Sequence, residues 1–329
     1  MTTPQYEYAT TGDGVRIAFV RTGSGPPIFM APGMGSTIEF GASQPEFVAG
    51  DALFNTGLSE THTVIRYDMR GYGMSARDAF PTSVDKLVAD LSAVADAAEF
   101  DEFSLIGRSQ EGQASMGYTA KHPHRVSRLI LVGAFTEFNE RERATVSTLA
   151  DLRRVNWGVA SRMLSDMFFL DTEQVTRKFA ERQRQIAESD AIVALLELNA
   201  VSSVREDLER IQAPTLVVHS RDDQAVPFHH GRELAAAIKG ARLITFSGDH
   251  MVTTGAHREE LLARSWSSLV RLVRRLQNPL SADSRRSSSL TSRVRPRSHS
   301  ASATRARRRC CMATTAPSEV RSKRMVAAR

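Results

Sequence analysis

The sequence predicts an α/β fold, a mostly parallel sheet of eight strands flanked by helices. Three observations carry that expectation. Short β-type runs alternate with longer stretches of helical period, the pattern of strand–helix–strand crossovers. A serine stands directly between one strand and the helix after it, in Gly107-Arg108-Ser109-Gln110-Glu111-Gly112. The alternation is broken once, by residues 137–210, which hold only helical patterns rich in charge.

Taken in order, the runs 6–10 (YEYAT) and 15–20 (VRIAFV) flank Gly12-Asp13-Gly14, a good hairpin turn. Residues 27–32 (PIFMAP) read as a buried strand, and 62–68 (HTVIRYD) as the next. Residues 83–98 have helical period, with Leu87, Leu91, Val94 and Ala98 on one face. A short apolar strand at 103–107 leads into the serine turn and a helix from Gln113 to His122, and 128–133 (RLILVG) is a further strand. The insertion at 137–210 is too long for a strand-to-helix connection. Its apolar residues, among them Leu149, Leu152, Trp157, Met163, Met167, Phe168, Phe169 and Leu170, suit packing on one another and on the sheet. Its place predicts a helical cap over a site at the carboxyl ends of the strands. Strand 215–220, helix 233–238, strand 242–246 and a basic amphipathic helix at 257–276 complete the expected body.

Composition sharpens this division. The 329 residues carry 43 Lys+Arg against 37 Asp+Glu, a formal charge of +6. That average hides two parts: residues 1–276 have a net of −5, and 277–329 a net of +11 with no aromatic residue. The hydrophobic fraction of 41% suffices for a real core and excludes wholesale disorder. No run of eighteen apolar residues exists, so no membrane span is expected. The opening residues lack the basic and apolar regions of a secretory leader, which points to a cytoplasmic location. Adjacent Cys310 and Cys311 provide neither a disulfide framework nor a zinc site by themselves. Oligomeric state is left open.

The candidate chemistry begins at Ser109. A sharp strand-to-helix turn holds a serine oxygen proud of a sheet, provided small neighbours such as Gly107 permit the tight backbone. The free N–H of Gln110 at the helix start can face a developing oxyanion. Alone, this pattern fits a serine N-cap equally well. Asp223 after the strand at 215–220, and His250 after the last strand, raise the catalytic reading, because all three follow strand ends. His250 would take the Ser109 proton and Asp223 would orient the imidazole. Asp222 is the main rival for the acid, and Asp249 a lesser one. Ala31-Pro32-Gly33-Met34-Gly35 supplies a second oxyanion donor, the N–H of Met34. That loop lacks the Lys-Ser/Thr ending of a phosphate loop.

With these residues in view, 5–275 resembles the α/β-hydrolase fold family. YDMRGYGMSA (67–76) resembles its Asp-x-Arg-Gly-x-Gly-x-Ser segment, 120–133 its stretch after the nucleophile helix, and 213–227 its acid loop. The resemblance implies Ser109 as nucleophile, Asp223 as acid, His250 as base, and Met34 and Gln110 as oxyanion donors. It implies no metal and no organic cofactor. A serine nucleophile argues against dehalogenase or epoxide hydrolase chemistry. The sequence departs from the family where a glycine usually stands two residues after the serine: Glu111 brings bulk and a negative charge there. Pro32 replaces a frequent histidine, and Gly248-Asp249-His250 alters the usual ending before the base. Within the family, Ile38-Glu39-Phe40 and 227–238 are most like hydrolase modules fused to class III nucleotide cyclases or LuxR-type regulators.

The expected function is therefore a serine hydrolase acting on an ester, lactone or related small acyl compound. The alternative is a hydrolase-derived ligand sensor of a cyclase-linked protein. The tail at 277–329 cannot bury enough apolar area to fold and is expected to be disordered. Its charge suggests nucleic acid, but nothing in it builds a specific groove, so no specific nucleic-acid partner is expected. Re-read one base earlier, residues 289–304 can spell FTDIAGSTEVAQRLGD, which resembles the opening of a cyclase domain. On that reading the tail is a frameshifted cyclase remnant.

Overall fold

The computed structural model describes residues 5–39, 57–170 and 173–250. They form an eight-stranded sheet with helices on its faces. The strands are β1 (Glu7–Thr10), β2 (Arg16–Thr22), β3 (Pro27–Met30), β4 (Thr63–Tyr67), β5 (Phe103–Arg108), β6 (Val126–Val132), β7 (Thr215–Ser220) and β8 (Arg242–Phe246). Their order across the sheet is β1-β2-β4-β3-β5-β6-β7-β8. β1 and β2 pair antiparallel, as does β2 with β4, and every later pairing is parallel. The expected hairpin closes as a turn in which Thr11 N–H donates to the Val15 carbonyl (3.0 Å).

Helices α1 (Val84–Ala97), α2 (Glu111–Lys121) and α7 (His229–Ala237) connect strands. Ser83 caps α1 by accepting from Lys86 N–H, and Leu87, Leu91 and Val94 are fully buried. Two helices begin earlier than their apolar pattern suggests, α2 at Glu111 and α7 at His229. In each, polar residues form a first turn that periodicity cannot register. Between β6 and β7 the described residues form four α-helices, α3 (Glu140–Val155), α4 (Trp157–Phe168), α5 (Glu173–Ile186) and α6 (Ser189–Val201), and a 3-10 helix at Arg205–Arg210. Leu149, Phe168 and Phe169 of this insertion are buried, while Met163 and Leu170 are about half exposed. The expected helix at 257–276 and the whole tail lie outside the described residues. Among the described residues, no helix is long and apolar enough to cross a membrane.

The segment after β4 ties the parts of this fold together through two buried side chains. Asp68 accepts from the N–H of Ile38 (2.8 Å), the N–H of Met74 (2.8 Å) and the hydroxyl of Thr37 (3.1 Å). It thus fixes the loop after β3 to its own loop. The guanidinium of Arg70 reaches Asp90 on α1 (2.6 Å) and Asp13 in the hairpin (2.8 Å). Arg70 and Asp90 are both buried, so the charge of each depends on the other. Removing Asp90 leaves the buried Arg70 with only the partly exposed Asp13 as partner. Asp90→Ala is expected to cost about 3–5 kcal/mol of unfolding free energy, read as a fall in the denaturant midpoint; an unchanged midpoint would show the pair to be dispensable.

Candidate functional site

Ser109 occupies the turn between β5 and α2 with a left-handed backbone, φ +49°. Holding a non-glycine residue there costs on the order of 1–3 kcal/mol and needs support from its surroundings. Its N–H donates to the Val132 carbonyl (3.0 Å), and its own carbonyl accepts from Gly112 N–H (3.0 Å). The helix packs too close for side chains at two points. A Cβ on Gly107 would lie 2.5 Å from Ser115 Oγ, and one on Gly112 2.4 Å from the Ala134 Cβ. Ser109 is not the N-cap of α2. Gln110 holds that position, with α-helical angles and no side-chain cap bond. Its N–H precedes the first intrahelical donors, which places it among the orphan amides of a helix start.

The candidate acid and base meet directly. Asp223, in the turn after β7, accepts through Oδ1 from the N–H groups of Ala225 (3.0 Å) and Val226 (2.8 Å). Its Oδ2 lies 2.7 Å from Nδ1 of His250, and both side chains are buried. Asp222 is exposed and turns elsewhere. It accepts from Gly248 N–H (3.1 Å), and the Ser220 hydroxyl donates to the Gly248 carbonyl, so the two pin the loop that presents His250. Asp223, not its rival, therefore faces the imidazole. Asp249 is buried one residue before it.

Gly133, just past β6, joins this pair to the serine turn. Its φ is +56°, and a Cβ there would lie 3.1 Å from the His250 ring and 3.5 Å from Asp223 Oδ2. The neighbouring Val132 is the residue that accepts from Ser109 N–H. Ser109 and His250 thus both lie against the end of β6. The loop carrying Met34 is held by Ala31 N–H donating to Ile106 O (2.9 Å) and by Asp68. Gly33 in this loop packs beside Arg108, the residue before the serine. Met34 itself is buried.

Sequence reasoning did not identify four of the side chains around this constellation. His219 on β7 donates from Nε2 to the Val226 carbonyl (2.8 Å) and lies 3.7 Å from Asp223 Oδ2. Burial lowers its pKa, so it stands behind the acid as a neutral ring. Phe168, at the end of α4, stacks on the His250 ring at 5.2 Å between centroids. Phe179 of α5 packs against Gly35 in the Met34 loop. Glu142 of α3 faces His229 and His230 at the start of α7. Only a β-strand histidine four residues before the acid was visible as a signal; the others come from the insertion, whose register over the sheet no pattern encodes.

Glu111 takes the place of the family's usual glycine. It is fully buried, and one carboxylate oxygen accepts from the Tyr67 hydroxyl (3.1 Å). Burial pushes its carboxyl up to about 8, with the nearby Asp90 charge adding to the rise. The raised pKa favours the neutral form of Glu111 over the negative charge expected beside Ser109. The close helix approach that the family's usual glycine would serve is made here by Gly112.

The fold agrees with known proteins. A family model described as "Serine aminopeptidase, S33" matches residues 50–249. The 2-hydroxy-6-oxo-2,4-heptadienoate hydrolase of Pseudomonas putida is 27% identical over 253 residues, 71% of this chain and 85% of that protein. Pyrrolizixenacetamide deacetylase of Xenorhabdus hominickii is 24% identical over 249 residues, 72% of this chain and 88% of that protein. Among solved structures, an esterase from Exiguobacterium antarcticum superposes with a TM-score of 0.70 at 23% identity, over 82% of this chain and all of its own. The chain belongs to the serine aminopeptidase S33 family of α/β-hydrolases.

Proposed function

We propose that the chain is a serine hydrolase that cleaves an ester, lactone or related small acyl substrate through an acyl-enzyme. The observation that carries this reading is the buried 2.7 Å contact between Asp223 and His250, set across Gly133 from a serine in a left-handed turn. In this reading Ser109 Oγ attacks the acyl carbon while His250 Nε2 takes its proton. Asp223 holds the ring through Nδ1 and stabilises the imidazolium. The N–H groups of Met34 and Gln110 receive the negative charge of the tetrahedral intermediate. His250 then returns its proton to the leaving group, and water repeats the sequence to release the acid. Phe168 covers the imidazole and limits water around it. The names of the relatives, a hydrolase, a deacetylase and an esterase, support acyl chemistry without selecting one substrate.

Residues 1–136 and 211–276 then form the catalytic domain and 137–210 its helical cap. The likeness to cyclase-linked hydrolases makes 277–329 a frameshifted remnant of a fused cyclase domain, a reading decided by the gene sequence. Cyclase motifs continuing downstream in the shifted frame support it; an early stop there ends it. The alternative of a ligand sensor without turnover takes its motive from the bulk and charge of Glu111; its burial beside Tyr67 favours the neutral form, which weakens the part of that motive that rests on charge.

Ser109→Ala should lower turnover of a nitrophenyl ester by about 10³-fold or more, and Asp223→Asn by about 10⁴-fold, with the fold retained. A fluorophosphonate should label the wild-type chain at Ser109. A folded sample that neither turns over nor labels would favour the sensor.

Glu111 yields a separate expectation. Its carboxyl ionises in the ordinary range in the unfolded chain but only near 8 when folded. The stability it contributes is complete below the ordinary glutamate range and is lost as pH rises through about 8. Glu111→Gln should flatten the decline in denaturant midpoint across that window, and an identical decline in the variant would count against a protonated Glu111.

A further inference from the structure

Beside the acid loop lies a cleft of about 520 Å³, distinct in its lining from the triad. Its wall includes Glu142 and Thr145 of α3, Met167 of α4, and Gln224, Ala225, Pro227 and His229 from the acid loop and α7. At one side of it Glu142, His229 and His230 converge, with one potential ligand atom from each lying within 4.8 Å of the others. Nε2 of His230 is 3.1 Å from one Glu142 oxygen, and Nε2 of His229 is 3.5 Å from the other. The two rings lie 4.1 Å apart.

These separations suit a metal ion. A tetrahedral ion with bonds of about 2.0–2.1 Å holds its ligand atoms about 3.3–3.4 Å apart. The two nitrogen–oxygen separations, each to a different oxygen of Glu142, lie on either side of that edge length, so a turn of the carboxylate or of one ring would bring the three groups onto one ion. The donor set, two imidazoles and one carboxylate, is of the type that takes zinc in sites with an open fourth position. The carboxylate is oriented in advance. Glu142 stands at the third position of α3, where one of its oxygens accepts from Asn139 N–H (2.9 Å) in a capping box. His230 is held among the rings of Phe135 and Phe138, at 5.9 and 5.7 Å. The only contact of its ring nitrogens among the described residues is the one between Nε2 and Glu142.

We propose that Glu142, His229 and His230 form a binding site for a zinc-like divalent ion whose fourth position opens to the cleft. Glu142 comes from the inserted helices, whereas both histidines come from the helix after the acid loop. A bound ion would therefore staple the insertion to the catalytic domain. It would also present a Lewis-acidic position to an anionic or carbonyl group entering the cleft. The site does not rest on Ser109 chemistry, and its failure would leave that reading intact.

The test is titration of the full chain with Co²⁺, in a Cys310→Ser, Cys311→Ser background because that cysteine pair could itself take the ion. The expected result is one equivalent bound with the intense visible absorption of a tetrahedral site. Zn²⁺ should displace it and raise the melting temperature by about 5 °C or more when in large excess over its Kd. Glu142→Gln and His229→Gln should each weaken binding by at least about tenfold. His229 lies at the partly exposed rim, so its variant keeps the test sound should changes at Glu142 disturb the helix cap. Absence of the tetrahedral spectrum, or a spectrum and affinity unchanged in both variants, would overturn the proposal.

Discussion

The left-handed backbone of Ser109 is the constraint around which the site is built. A side chain held at that φ is unfavourable on its own, so the structure around it must exclude every relaxed alternative. Parallel pairing of β5 with β3 on one side and β6 on the other fixes the chain entering the turn. The helix leaving it is locked because Gly107 and Gly112 bring α2 against its neighbours at distances where no Cβ would fit. The bond from Ser109 N–H to Val132 then ties the turn to the end of β6. The same strand end continues into Gly133, whose missing side chain leaves room for His250 and Asp223. One backbone junction thus supports both the strained serine and the place where its partner ring rests.

Buried charge supports this junction from the other side of the sheet order. Asp68 and Arg70 follow β4 and between them reach the loop after β3, helix α1 and the first hairpin. Asp68 holds Thr37 and Ile38, a few residues beyond Met34, so the position of a candidate oxyanion donor depends on a carboxylate outside the site. Such interactions add little net stability in burial but penalise any arrangement that leaves a partner unmatched. Glu111 obeys the same rule differently. With no cation in direct contact among the described residues, its burial favours the neutral form, and it accepts from Tyr67.

The inserted helices contribute by contact. Phe168 lies over the ring of His250, Phe179 against the loop of Met34, and Glu142 against the histidines of α7. Each joins a part of the chain between β6 and β7 to a different loop at the carboxyl edge of the sheet. The insertion therefore shapes both the surroundings of the triad and the cleft beside the acid loop.

Much of this was legible in the residues. All eight strands, the serine turn and the Ser-Asp-His order could be read, because parallel strands joined by helices collect the loops after their carboxyl ends along one edge. Motif and order together named Asp223, although Asp222 stood beside it as an open rival. Tertiary structure decided which of the two meets His250, since that depends on how the turn after β7 folds back on its own N–H groups. It also decided the burial of Glu111 beside Tyr67, the cradle at Gly133, and the meeting of Glu142 with His229 and His230. Sequence by itself determined the fold class and the residue types available for chemistry, because local periodicity and turn composition are encoded within a few neighbours. Packing between distant segments determined which of those residues are buried, which are charged and which touch, because desolvation and close approach arise only when the segments meet.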